Sequence, residues 1–227
     1  MSPIIRFRRP RSWLLSIAMA TSATCGLMIG TAHARDVPPP QQQAKPVTDY
    51  LGVPGPIQFD GTAYRLAWSH FGGTQIKQEY VPAGQSPDNY QSTLILDVLL
   101  TEATPLQIAS HMAKQIKDRK ASDPLANQEL LASEDTEQVL LDFLLSQPQG
   151  EDSTIIEWNG YRYVRLRADT VGTLAISRRV QGGDAQLRPF LEALKTQRVK
   201  DVKTLASMPL PDIRLPGTSP TAPAATD

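Results

Sequence analysis

Few residues in this chain have the types and spacing that chemistry requires. Cysteine occurs once, at Cys25, and histidine three times, at His33, His70 and His111. Cys25 and His33 fall in an expected export signal, so a mature chain keeps only His70 and His111. Structural zinc takes four Cys or His ligands, and the spacing of a helix–loop–helix calcium loop is absent. No metal or other cofactor is expected. There is no G-x-S-x-G elbow and no S-x-x-K pair, and Gly182-Gly183 lacks both the spacing and the lysine of a phosphate loop. His70, beside Ser69 at the end of an apolar strand face, has two readings: a general base working with a distant carboxylate, or a cap on the sheet edge. The second is the plainer. His111 shares a helix face with Gln107, Lys114 and Asp118 and reads as solvated.

Three carboxylates lie in or beside strand-like runs: Asp97, Asp142 and Glu157. Any two could serve a hydrolase that flanks its substrate with a pair of acids. Asp97 and Asp142 each interrupt an apolar run, and an unpaired buried charge is costly, so both are expected to point outward. Glu157 is expected opposite Arg162 across a turn at Asn159-Gly160, as a cross-strand ion pair. That hairpin would also gather Ile156, Trp158, Tyr161 and Tyr163 on one face. Trp158 and Tyr161 suit a partner surface or a core beneath a helix. Five arginines, Arg162, Arg165, Arg167, Arg178 and Arg179, fall on neighbouring strands; they read as a cationic patch or as an outer face balanced by nearby acids.

The elements that must position these residues are mostly strands. Asp60-Gly61 is a type I′ turn signal, placing Phe59 opposite Thr62 and Ile57 opposite Tyr64. One face then collects Ile57, Phe59, Tyr64, Leu66 and Trp68. Gly72-Gly73 turns the chain into a strand over 74–81, and Ser86-Pro87 opens a short helix. Leu94 to Leu100 is a buried strand. Thr104-Pro105-Leu106-Gln107 is a capping box, and Leu106, Ala109, Met112, Ala113 and Ile116 form the inward stripe of the helix it starts. Further strands fall at 128–132, 137–146, 154–158, 161–167 and 173–180. A last helix follows Asp184, with Leu187, Phe190, Leu191 and Leu194 on one side.

The first 34 residues have the three parts of an export signal. Arg6, Arg8, Arg9 and Arg11 form the basic start, Trp13 to Gly30 is uncharged, and Ala32-His33-Ala34 is a small-residue cleavage pattern, with cleavage expected after Ala34. An uncleaved N-terminal anchor or full secretion is the alternative to a periplasmic protein. Cleavage removes Cys25 and four of the 23 basic residues, leaving 19 against 23 acidic. The mature chain is then mildly acidic, without disulfides and without the basic footprint of a nucleic-acid binder. Pro38-Pro39-Pro40 and Gln41-Gln42-Gln43 make 35–50 a spacer. Residues 51–207 form a single domain, and 208–227, rich in Pro, Ala and Thr, form a disordered tail.

Strands neighbouring in sequence usually pair, so an α+β fold is expected, a single antiparallel β-sheet with helices packed on it. The element order over Ile57 to Lys195 resembles the PsbP/Mog1-like α/β/α sandwiches. That resemblance implies an accessory or binding protein more than an enzyme, and it carries no residue roles. The sequence therefore points to an exported, non-enzymatic accessory protein that binds an envelope or secreted protein partner, with no transmembrane span after cleavage. The alternatives are a hydrolase using scattered Asp/Glu and His70, and a small-solute-binding protein with its pocket between helix and sheet.

Overall fold

The structure, a computed structural model, describes residues 46–133 and 138–215. The leader with Ala34 and Cys25, the spacer as far as residue 45 and the tail from 216 lie outside the described residues. Strands β1 (Ile57–Phe59), β2 (Thr62–Gly72), β3 (Gln75–Pro82) and β4 (Ser92–Leu100) precede helix α1 (Pro105–Arg119). Strands β5 (Asn127–Ala132), β6 (Gln138–Pro148), β7 (Thr154–Arg167) and β8 (Thr170–Gly182) follow, then helix α2 (Asp184–Ser207). The eight strands form one antiparallel sheet in the order β1-β2-β3-β4-β8-β7-β6-β5.

Local sequence chemistry explains two of these joints. Asp60 and Gly61 both have positive φ, 48° and 76°, which is what a type I′ turn demands, and Phe59↔Thr62 and Ile57↔Tyr64 face each other. At α1 the Thr104 hydroxyl accepts from the Gln107 N–H at 3.1 Å, while the Gln107 side chain accepts from the Thr104 N–H at 2.8 Å. Pro105 fills the first helical position, where its missing N–H costs nothing. Ala109, Ala113 and Ile116 are buried, whereas Leu106, expected inward, is 46% exposed.

Alternation along the strands divides the core into two clusters, one on each face of the sheet. On the first face α2 packs through Leu194 and Leu205 on Trp158, Leu174 and Ile176. The segment Leu51 to Val53 and the stretch from Met208 to Leu215 complete that face. On the second face α1 packs through Ala109, Ala113 and Ile116 on Val139, Leu141, Phe143 and Tyr163.

The expected PsbP/Mog1-like α/β/α sandwich, a sheet layered with helices, is not what forms. Among the described residues the fold is sheet-dominated, 46% strand against 23% helix. Its single helix on each face is too short a cover: α1 packs on β5, β6 and β7, and α2 on β6, β7 and β8. Among the described residues no helix packs closely along β1 to β4, although Lys200 of α2 reaches Asp60 in the β1–β2 turn.

Four local expectations also change. Asn159-Gly160 is no turn, since β7 runs straight through it and reverses only at Ala168-Asp169. Glycine is needed there for packing: a Cβ would stand 2.9 Å from the Trp158 ring and 3.0 Å from Leu205. Ser86-Pro87 opens a tight turn bridged by Ser86 and Asn89, with no helix. Trp68 leaves the face of Leu66, because a bulge between them shifts the alternation by one residue. Finally, residues 208–215 are laid on the core, with the Arg214 N–H donating to the Leu51 carbonyl at 2.7 Å.

Candidate functional site

The five arginines do not make one patch, because their strands send them to opposite faces. Arg162 is 4% exposed on the α2 face, where it donates to the carbonyls of Leu205, Ala206 and Met208 at 2.5, 3.3 and 2.6 Å. It closes the C-terminus of α2, whose last carbonyls have no helical partner. Burial pulls its pKa down from the usual guanidinium value. Arg178, also on that face, makes a two-pronged pair with the fully buried Asp201 at 2.5 and 2.8 Å. Arg165 points the other way and donates to the carbonyls of Thr101, Glu102, Ala103 and Ala168, fixing the approach to α1. Arg179 lies 5.3 Å from the centre of the Tyr90 ring, whose hydroxyl donates to Glu157 at 2.7 Å. Arg167 is exposed.

Glu157 therefore faces Arg179 across β7–β8, and the expected Glu157–Arg162 pair does not form. The aromatic group divides likewise: Trp158 is buried beneath α2, while Tyr161 and Tyr163 belong to the cluster under α1.

Asp142 and Asp97 are also on opposite faces, so they cannot share a substrate as a hydrolytic pair. Asp142, expected to point outward, is 8% exposed and meets Arg198 of α2 at 2.8 Å. Arg198 also pairs with Glu129. Burial raises the Asp142 pKa against the opposing pull of Arg198. His70 is exposed, stacks on Trp68 with ring centroids 6.0 Å apart, and stands opposite Lys77 rather than a carboxylate. The crevice between α2 and the sheet, lined by Leu131, Leu140, Asp142, Val202 and Leu205, is too tight to admit a water-sized group.

The α1 face beyond the helix holds a different arrangement. Strand register sets His70, Lys77, Asp97, Thr173 and Tyr163 side by side in one row. Trp68, Glu79, Ile95, Ala175 and Tyr161 form the next. Thr173, Ala175 and Ile95 are 8%, 0% and 6% exposed although no helix covers them. Lys77 and Glu79 pair at 2.9 Å.

Asp97 takes both hydrogen bonds that its carboxylate makes from the Gln75 amide, at 3.0 and 2.7 Å. Burial raises its pKa, and Lys77 only partly offsets this. Burial pushes Tyr161 up as well, with the charges of Glu157, Asp97 and Glu79 adding to it; Tyr163 is raised by burial, Tyr161 and Asp97. Both phenols thus keep their protons across the whole ordinary pH range. Tyr163 is only 3% exposed in the cluster under α1, and Tyr161 packs against it. Sequence reasoning singled out Asp97, His70 and Tyr161 separately; the strand order β3-β4-β8-β7, which brings them onto one surface, has no local signal.

Among the described residues no group of acidic, His or Cys side chains is placed to hold a metal ion, and no helix is long and apolar enough to cross a membrane. A protein-family model matches residues 51–210, and the chain belongs to that family. The match spans both faces of the sheet, α1, α2 and the first residues laid down after α2. No curated protein matches the chain.

Proposed function

We propose that this is an exported accessory protein of the bacterial envelope, periplasmic after cleavage behind Ala34, which binds a protein partner through its sheet. The observation that carries the reading is the uneven cover of the two faces. The segments 51–53 and 208–215 and helix α2 occupy one face, whereas β2 and β3 on the other carry Trp68, His70, Lys77 and Glu79 with no helix packed above them among the described residues. Aromatic and charged side chains on an uncovered surface suit a partner interface better than a core. The mildly acidic mature composition disfavours nucleic acid as that partner.

Two observations weigh against the hydrolase reading. Asp97 and Asp142 face away from each other, and among the described residues no carboxylate bonds His70. Export is tested by N-terminal sequencing of protein recovered from the periplasm, which should begin at Arg35. Partner binding is tested by placing a photo-crosslinking residue at position 68 or 70 in living cells. Discrete adducts are expected there; their absence, with normal protein levels, would remove this surface from the proposal.

A further inference from the structure

The sheet ends in β1 on one side and β5 on the other, and the two edges differ. β1 has 3 residues, too few to template another strand. β5 has 6, pairs only with β6, and carries neither proline nor lysine, the residues that commonly guard an edge. One bond fixes the direction of its backbone groups. The Ser133 N–H donates to the Gln138 carbonyl at 3.2 Å, in the same register as the rest of the β5–β6 pair. Odd-numbered residues of β5 therefore turn N–H and C=O toward β6, and Gln128, Leu130 and Ala132 turn theirs outward. Among the described residues, nothing bonds those outward groups.

The outward residues are symmetric about Leu130. A second β5, antiparallel to the first, would set Leu130 opposite Leu130 and Gln128 opposite Ala132, and every outward N–H and C=O of both strands would find a partner. Glu129, the only charge on the strand, would face Leu131 of the second copy, and Arg198 already neutralises it. Leu131, 45% exposed, would gain cover. Moving the axis to Glu129 sets like charges opposite each other, and moving it to Leu131 leaves Gln128 unmatched within the described strand. This self-matching register favours a second copy over a foreign strand.

We propose that β5 pairs with β5 of a second copy of this chain, joining two sheets into one across a two-fold axis at Leu130. The edge uses none of the residues of the Trp68 surface, so either proposal can fail alone. Far fewer residues meet here than the roughly 20–30 a side of a standard interface, so the dimer is weak, with Kd on the order of 10 µM.

The test is sedimentation equilibrium and residue-resolved amide exchange on the exported chain from roughly 1 to 300 µM, a range that brackets this Kd. A monomer–dimer equilibrium is expected. With rising concentration the amides of Gln128, Leu130 and Ala132 should slow about fivefold, while those of Glu129 and Leu131, bonded to β6 throughout, stay unchanged. Ala132→Pro removes an outward donor but no bond to β6, and should give a monomer. Leu131→Glu places a carboxylate opposite Glu129 and should dimerise about tenfold more weakly than Leu131→Lys, which places an ammonium there. Both lose the same leucine, so unequal dimers report the charge across the axis. A monomer over the whole range overturns the proposal and leaves the edge to a foreign strand. It is also overturned by a dimer whose three outward amides keep their monomer rates, or by equal dimerisation of the two Leu131 variants. Protection of those amides already in the dilute monomer overturns it too, because the chain then covers its own edge.

Discussion

Asp123, which closes the turn after α1, is 4% exposed and accepts from the Ser146 N–H and hydroxyl, the Leu125 N–H and Arg119. Burial acts to raise its pKa, but the bonds from Ser146 and Arg119 prevail and lower it. Its folded pKa lies below the unfolded value near 3.8, so its contribution is complete above that pH and disappears as pH falls through the lower folded value. Asp123→Ala should cost about 3 kcal/mol in urea unfolding at pH 7, since it strands several buried donors, and much less at pH 2. Asp97 has the opposite sign. Its pKa is raised on folding, so the ionised form opposes folding above the folded value, and that cost is gone below the unfolded value near 3.8. Asp97→Asn is expected to leave the melting temperature at pH 7 unchanged or higher. A clear fall would show that the ionised carboxylate supports the sheet, contrary to its setting.

Elements were legible where their signals are local and obscure where the partner is distant in sequence. Asp60-Gly61 and the Thr104–Gln107 box carry their geometry within four residues, and both form as the sequence predicts. Asn159-Gly160 has the same local chemistry as a hairpin turn, yet its glycine makes room for Trp158 and for Leu205, forty-odd positions away on α2. The arginines show the same limit: nothing near Arg162 in sequence announces that it will close α2. Gly160→Ala should destabilise by roughly 1–3 kcal/mol through overpacking between β7 and α2. A substitution that instead stabilised would favour the turn reading. Arg162→Ala should cost about 3 kcal/mol by leaving helix-end carbonyls buried without donors, and Arg162→Lys should restore only part of it. Both are measured by denaturant midpoints at an unchanged slope.

At the scale of the molecule, the two faces of the sheet have different roles. The α2 face is consumed internally: Arg178–Asp201, Arg162 and Arg198 tie α2 to β8, β7 and β6, and the segments at 51–53 and 208–215 cover the rest. The α1 face is half covered, and its remainder carries Trp68, His70, Lys77, Glu79 and Asp97. The expected sandwich would have covered both faces, so the partial cover is also what exposes the proposed surface. Reversing charge at exposed Arg167 should leave partner recovery unaltered, whereas Arg178→Glu should lower protein abundance by breaking a buried ion pair. The most direct measurement compares photo-crosslinking in intact cells from position 68 with that from Val199, 51% exposed on α2. The account predicts envelope-protein adducts from 68 and few or none from 199. Adducts from 199 with none from 68 would contradict it.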